Sequence, residues 1–100
     1  MDLVEVSKAL ANDTRMDIMC WLREPEKYFR PHKDGKDFSD GVCVNVIKDK
    51  TDMSQSTISH YLSSLQRVEL VKTVRIGKWT YYQRNDATIR AYLSELQLNL

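Results

Sequence analysis

One hundred residues suit a single domain and no more, and a chain this short buries only about 60–70% of its unfolded surface, so partner contacts can matter for stability. The 42% hydrophobic and 29% charged content is that of an ordinary globular domain, and no apolar run approaches the roughly 18 residues of a membrane helix. The net charge of +1 does not by itself mark a nucleic-acid binder, while Cys20 and Cys43 are too few for a disulfide framework.

Leu3, Val6 and Leu10 recur at helical spacing and predict a short amphipathic helix. Asn12-Asp13 interrupts it and caps a second helix carrying Met16, Met19, Trp21 and Leu22, which should end near Arg23 because Pro25 disfavours helix before itself. Residues 24–41 contain both prolines, two of the glycines and many charges, and read as a long loop. Tyr28, Phe29 and Phe38 make it too aromatic for a simple linker. Val42 to Lys50 reads as a helix with Val42, Val46 and Ile47 inward. After a turn at Thr51-Asp52-Met53, Ser54 is a good N-cap for a helix whose buried stripe is Ile58, Leu62 and Leu65. Leu70 to Ile76 and Trp79 to Tyr82 have the β-branched and aromatic content of strands, joined by a Gly77-Lys78 turn. Asn85-Asp86 caps a last helix with Ile89, Tyr92, Leu93 and Leu96 on one face. The predicted fold is mainly α with a β-hairpin wing, a single winged helix-turn-helix domain over residues 1–100 in the order α-α-α-α-β-β-α.

That order suits the reading of duplex DNA. A major groove about 12 Å wide admits one helix, which needs an apolar side toward its domain and a polar side toward the bases. The helix after Ser54 has both, its outer side offering Gln55, Ser56, Ser59, His60 and Ser63. Charge is distributed accordingly: from His60 to Arg84 the cations Arg67, Lys72, Arg75, Lys78 and Arg84 face only Glu69, whereas the first quarter leans acidic. The expected DNA contacts are Ser54, Gln55, Ser56, Thr57, Ser59, His60, Ser63 and Arg67 on the helix, with Arg75 and Lys78 at the hairpin tip. The competing reading is a winged-helix module that binds protein without DNA. An enzyme is disfavoured, since no nucleophile elbow, phosphate loop or metal-hydrolase spacing occurs.

Three segments carry a family resemblance. Lys8-Ala9-Leu10-Ala11-Asn12-Asp13-Thr14-Arg15-Met16 resembles the K-A-L-A-D/N-x-T-R-L/M segment of ArsR/SmtB repressors. Met53 to Leu62 is similar to their L-S-Q-S/P-x-V/I-S-H-H-L recognition element, and Leu70-Val71 with Gly77-Lys78-Trp79-Thr80-Tyr81-Tyr82 to their wing. The resemblance implies a dimeric repressor released from its operator by a chemical signal. The apolar stripes Leu3/Val6/Leu10 and Ile89/Tyr92/Leu93/Leu96 are then expected to pair across a two-fold axis, and the operator to be a pseudo-palindromic duplex.

The chain departs from that pattern at the sensing positions. Cys43 occupies the first position of the family's cysteine pair, but the second is Asn45. Asp86 fits the first position of a second metal site, but Thr88 and Asn99 stand where histidines would be. No metal site and no cofactor are therefore expected, and the effector is left unidentified. Cys20 and Cys43 are candidates for a thiol sensor, although Cys20, between Met19 and Trp21, also reads as a buried small hydrophobe. His32 is expected to be solvated. The 24–41 loop is longer than the family's usual connection, and is open to an effector pocket, a partner surface, added DNA contacts through Lys27, Arg30, Lys33 and Lys36, or a tolerated insertion. Glu69 stands where family members commonly carry Gly at the close of the recognition helix. The start Met1-Asp2-Leu3-Val4-Glu5 lacks the basic and apolar regions of a secretory signal, which gives a cytoplasmic expectation.

Overall fold

Asp2 begins the first helix by accepting the backbone N–H groups of Val4 and Glu5, each at 3.1 Å. In this computed structural model, which describes residues Met1–Leu100, α1 (Leu3–Leu10) is followed at once by α2 (Asp13–Arg23). Asn12 caps α2 by accepting the Arg15 N–H at 3.0 Å. The Arg15 side chain turns back onto α1, donating from Nε to Ala9 O at 2.6 Å and from Nη2 to Lys8 O at 3.2 Å. Lys8 O also accepts the Ala11 N–H at 3.1 Å, whereas Ala9 O lies in the last turn, where helix carbonyls lack an intrahelical donor, so the guanidinium completes the closure of α1 and ties it to α2.

The 24–41 segment is more structured than expected. A one-turn helix, α3 (Pro25–Tyr28), follows α2 directly, because a proline in the first turn loses no hydrogen bond and has its φ already set for helix. His32 corrects its solvated reading: it is buried, its Nε2 accepting the Cys43 N–H at 3.1 Å and its Nδ1 bonding to Lys36 O at 2.9 Å. Its ring packs edge-on against Phe38 at 4.8 Å and Tyr81 at 5.5 Å. Phe29 is buried as well. The loop is a docked lobe, with Lys36 and Asp40 paired at 2.8 Å along its rim.

The predicted helix from Val42 starts two residues late. Val42–Cys43 form a strand, β1, and α4 runs Val44–Asp49, followed by α5 (Gln55–Arg67), β2 (Val71–Ile76), β3 (Trp79–Arg84) and α6 (Asp86–Asn99). The order is therefore α-α-α-β-α-α-β-β-α, and the hairpin belongs to a three-stranded antiparallel sheet in the order β1-β3-β2. β1 lies against β3 with Val42 opposite Tyr82 and Cys43 opposite Tyr81. Gly41 makes that approach possible: at φ +108 a Cβ there would lie 2.6 Å from Tyr82 O. A two-residue strand has no periodicity to read, which is why sequence pattern merges it with the helix behind it.

The core gathers Ile18 of α2, Val42 of β1, Ile47 of α4, Ile58, Leu62 and Leu65 of α5, with Leu70 and Val71 leading into the wing. Thr51 shapes the turn between α4 and α5, donating to Lys48 O at 3.0 Å while accepting the Met53 N–H at 3.2 Å. α5 ends in a Schellman motif. Leu70 N–H reaches Leu65 O at 3.0 Å, Glu69 N–H reaches Gln66 O at 2.9 Å, and Glu69 takes the left-handed φ of 63°.

Candidate nucleic-acid interface

Ser54 opens α5 by accepting the Thr57 N–H at 3.2 Å, and its hydroxyl also meets Thr57 Oγ1 at 2.9 Å and Ser56 Oγ at 3.2 Å. From that start the helix has two distinct sides. Ile58, Leu62 and Leu65 have no measurable exposure, at 0% each, while Gln55, Ser56, Ser59, His60, Ser63 and Arg67 are exposed and Thr57 is half-covered. Gln55 Nε2 rests on Ser59 Oγ at 3.3 Å, which leaves its amide available on the outer face. α5 contains no acidic residue, so nothing on it offsets the partial positive charge of its N-terminus. The face therefore combines neutral donors and acceptors with a field that favours an anion.

The wing stands beside it. Ile76 and Trp79 are the last opposed pair of β2 and β3, and Gly77 takes φ 61 in the two-residue turn between them. Arg75 Nε donates to Gly77 O at 3.1 Å, so the guanidinium curls over the turn rather than trailing along the strand. Lys78 is exposed, its Nζ 5.2 Å from the Trp79 ring centre. Sequence pattern located the wing cations but missed the apolar pair beneath them: Ile76 and Trp79 are each 40% exposed. Helix and wing are joined through the buried Leu65–Leu70 closure, so polar face and basic tip share one frame.

The other candidate residues fall into separate places. Val6 and Tyr92 of the proposed dimer stripes are buried within the subunit, Tyr92 OH bonding Ser7 Oγ at 2.7 Å and tying α6 to α1. Leu3, Leu10, Ile89 and Leu96 are half-covered, whereas Leu93 is 58% exposed, and Met16 is exposed as well. A groove of about 390 Å³ runs through this surface, lined by Leu10, Met16, Ile89 and Leu93. Cys20 also lines it and is exposed, which corrects its reading as a buried hydrophobe. Cys43 is buried at the N-cap of α4 and lines a different cavity, with His32 and Trp79. No three His, Cys, Asp or Glu side chains are gathered closely enough to hold a metal ion. No helix is long and apolar enough to cross a membrane.

The bacterial regulatory protein arsR family model matches residues 42–73, which span β1, the helix-turn-helix and the start of the wing. The chain is 50% identical over 90 residues to the uncharacterized HTH-type transcriptional regulator YbzH of Bacillus subtilis, covering 89% of each. It is 30% identical over 88 residues to the arsenical resistance operon repressor of Bacillus subtilis, covering 88% of this chain and 70% of that protein. Among solved structures it is similar to a homodimeric winged helix-turn-helix DNA-binding domain of Mycobacterium bovis, a possible ArsR-family transcriptional regulator. The TM-score is 0.64 at 27% identity, over 98% of this chain and 79% of that one. It shares its fold with an ArsR-like transcriptional regulator from Rhodococcus sp. RHA1, with TM-score 0.69 at 22% identity over 95% and 76% of the two chains.

Proposed function

Because this chain belongs to the ArsR family and is a DNA-binding transcriptional regulator rather than an enzyme, we propose that it acts as a homodimeric repressor that leaves its operator when a chemical signal arrives. The observation that carries the reading is the acid-free polar face of α5 set beside the Arg75/Lys78 wing tip. In this reading Ser54, Gln55, Ser56, Thr57, Ser59, His60 and Ser63 meet the major groove, with Gln55 suited to bidentate pairing with adenine. Arg67, Arg75 and Lys78 meet phosphates, which position the protein without reading sequence. Residues 1–100 act as one unit in which α1 and α6 supply the dimer surface, Leu93 outermost and Leu3, Leu10, Ile89 and Leu96 behind it. Val6 and Tyr92 hold those helices together rather than touching the partner directly. Two copies then present their α5 helices about one DNA turn apart, roughly 34 Å, to a pseudo-palindromic operator.

The test is duplex binding measured by fluorescence anisotropy over a range of salt, using fragments from upstream of the protein's own gene and a scrambled duplex. Gln55→Ala should cost about 1–3 kcal/mol at one operator position and relax specificity there, while Lys78→Ala should weaken all duplexes and lower the salt slope by about one. Equal losses on operator and scrambled duplex for Gln55→Ala would refute the assignment of α5 as the reader. Binding with no salt dependence at all would favour a protein-binding module, since no counterions would be released.

A further inference from the structure

Beside the helix-turn-helix lies a surface whose positive charge no ion pair neutralises. α3 and the start of the docked lobe carry Lys27, Arg30 and Lys33 at three-residue spacing, and all three are exposed. Lys50, also exposed, reaches the same place from the end of α4. Its Nζ lies 5.9 Å from the centre of the Tyr28 ring, and Lys27 Nζ lies 5.3 Å from that ring. A groove of about 320 Å³ between the lobe and α4 is lined by Arg30, Lys33 and Lys50 together with Asp49.

None of these four cations has a carboxylate partner, since the ion pairs in the molecule are Lys8–Glu5, Lys36–Asp40 and Arg84–Asp86. Asp49 is the one carboxylate in the groove, and Glu26 is next to Lys27 on α3. The other acids of the lobe follow Lys33 and are drawn into its turns. Asp34 and Asp37 accept the Lys36 and Ser39 N–H groups, and Asp40 pairs with Lys36. Lys36 is thereby withdrawn from any outer contact, held by Asp40 and lying 5.4 Å from the Tyr81 ring. Like charges gathered with this little opposition favour a polyanion.

The patch is continuous with the proposed reading helix. Lys50 precedes the Thr51–Met53 turn, whose far end is Ser54, the N-cap of α5. In a helix-turn-helix the first helix crosses the backbone of the duplex while the second enters the groove. Here α4 is that first helix, and the lobe lies along its side. α1 and α6 border instead the C-terminal end of α5, where Arg67 and Val68 share a groove with Glu5 and Thr88. The lobe thus lies toward the end of α5 opposite the helices proposed to pair. We propose that Lys27, Arg30 and Lys33, backed by Lys50, form a further DNA-contacting surface, which meets phosphates of the duplex that continues outward from each half-site. The proposal rests on the DNA-binding reading and extends it. Phosphate contacts carry no sequence information, so the lobe adds affinity and footprint length without altering which bases are read.

The full chain is titrated by fluorescence anisotropy, over a range of salt, with duplex from upstream of its own gene trimmed to the bare operator core. The same core is then extended at each end by about one helical turn, roughly 10 base pairs of random sequence. The extended duplex should bind about fivefold more tightly, with a salt slope steeper by about two, one phosphate for each protomer. Lys27→Gln, Arg30→Gln and Lys33→Gln combined, all at exposed positions, should abolish that gain and leave binding to the bare core within about twofold of wild type. Glu26→Gln, which removes the acid next to Lys27, should enlarge the gain about twofold. Equal wild-type affinity for bare and extended duplexes overturns the surface. So does a gain that survives the triple substitution or falls in Glu26→Gln, and so do equal losses on both duplexes, which would mark an effect of net charge alone. Failure to bind either duplex overturns the DNA reading and this surface with it, whereas absence of the flank gain alone overturns only the surface.

Discussion

Replacing Glu69 by Gly should make this protein more stable. Glu69 is the one residue other than glycine with positive φ, at 63°, and it sits exposed at the position of the Schellman motif that glycine favours. A left-handed backbone costs an ordinary L-residue roughly 1–2 kcal/mol relative to glycine. Glycine in turn loses about 0.4–1 kcal/mol more conformational entropy on folding. The net expectation is a gain of about 0.5–1 kcal/mol, or about 2–8 °C in melting temperature for a domain of this size. The assay is thermal unfolding by circular dichroism at matched protein concentration, since the proposed dimerisation would make the midpoint concentration-dependent. Glu69→Asn should recover part of the gain and Glu69→Ala none, because asparagine tolerates the left-handed region and alanine does not. Duplex affinity should be unaltered, as no proposed DNA contact is touched. A melting temperature lower for Gly than for Ala would refute the reasoning, and would mean that the Glu69 carboxylate contributes more than the backbone costs.

The opposite substitution at Gly41 should be damaging: Gly41→Ala places a Cβ 2.6 Å from Tyr82 O at φ +108, and should cost at least about 2 kcal/mol in chemical denaturation. An unchanged midpoint would show that β1 can move away from β3 without penalty. Arg15→Ala should cost about 1.5–3 kcal/mol through loss of its charged hydrogen bonds to Lys8 O and Ala9 O. Arg15→Lys should not restore it, because a point charge cannot span both carbonyls, and full rescue by Lys would argue that only charge is needed. Leu93→Asp, at the most open apolar position of the groove on α6, should give a monomer by sedimentation with an unaltered far-ultraviolet spectrum, and weaken operator binding far more than binding to a single half-site. A dimer that survives this change would move the interface away from α6.

The parts of the fold that were legible in the sequence are those with a repeating physical signal. The Ile58/Leu62/Leu65 stripe and the Ser54 cap located α5, and the Gly77-Lys78 turn located the hairpin. The Asn12 cap and the Pro25 stop bounded α2. What escaped was structure made by contacts distant along the chain. β1 exists because Tyr81 and Tyr82 pair with it, and α3 because a proline can start a helix as well as end one. His32 looked solvated among Pro31, Lys33 and Asp34, yet its partners are the Cys43 backbone and the rings of Phe38 and Tyr81. The same limit applied to the dimer stripes. Periodicity named Val6 and Tyr92 as apolar or aromatic, but only packing shows that they are occupied within the subunit. At the proposed DNA face, residue types nominated Gln55, Arg75 and Lys78, whereas the curl of Arg75 over the turn depends on where Gly77 O points.

The third strand also sets the mechanics of the wing. An isolated two-stranded hairpin is marginal in water, but β1 lies along Tyr81 and Tyr82 and braces the inner part of the hairpin. Beyond that brace only the pairs Arg75–Thr80 and Ile76–Trp79 and the turn itself project. The tip is thus a short cantilever with a stiff root, and under the proposed contact with DNA it would lose little freedom on binding. Its reach is quantised as well. Each added pair extends the beam by about 3.4 Å but turns the outermost side chains to the opposite face, so a longer wing that keeps its cations toward the groove must grow by two pairs, about 7 Å at a time.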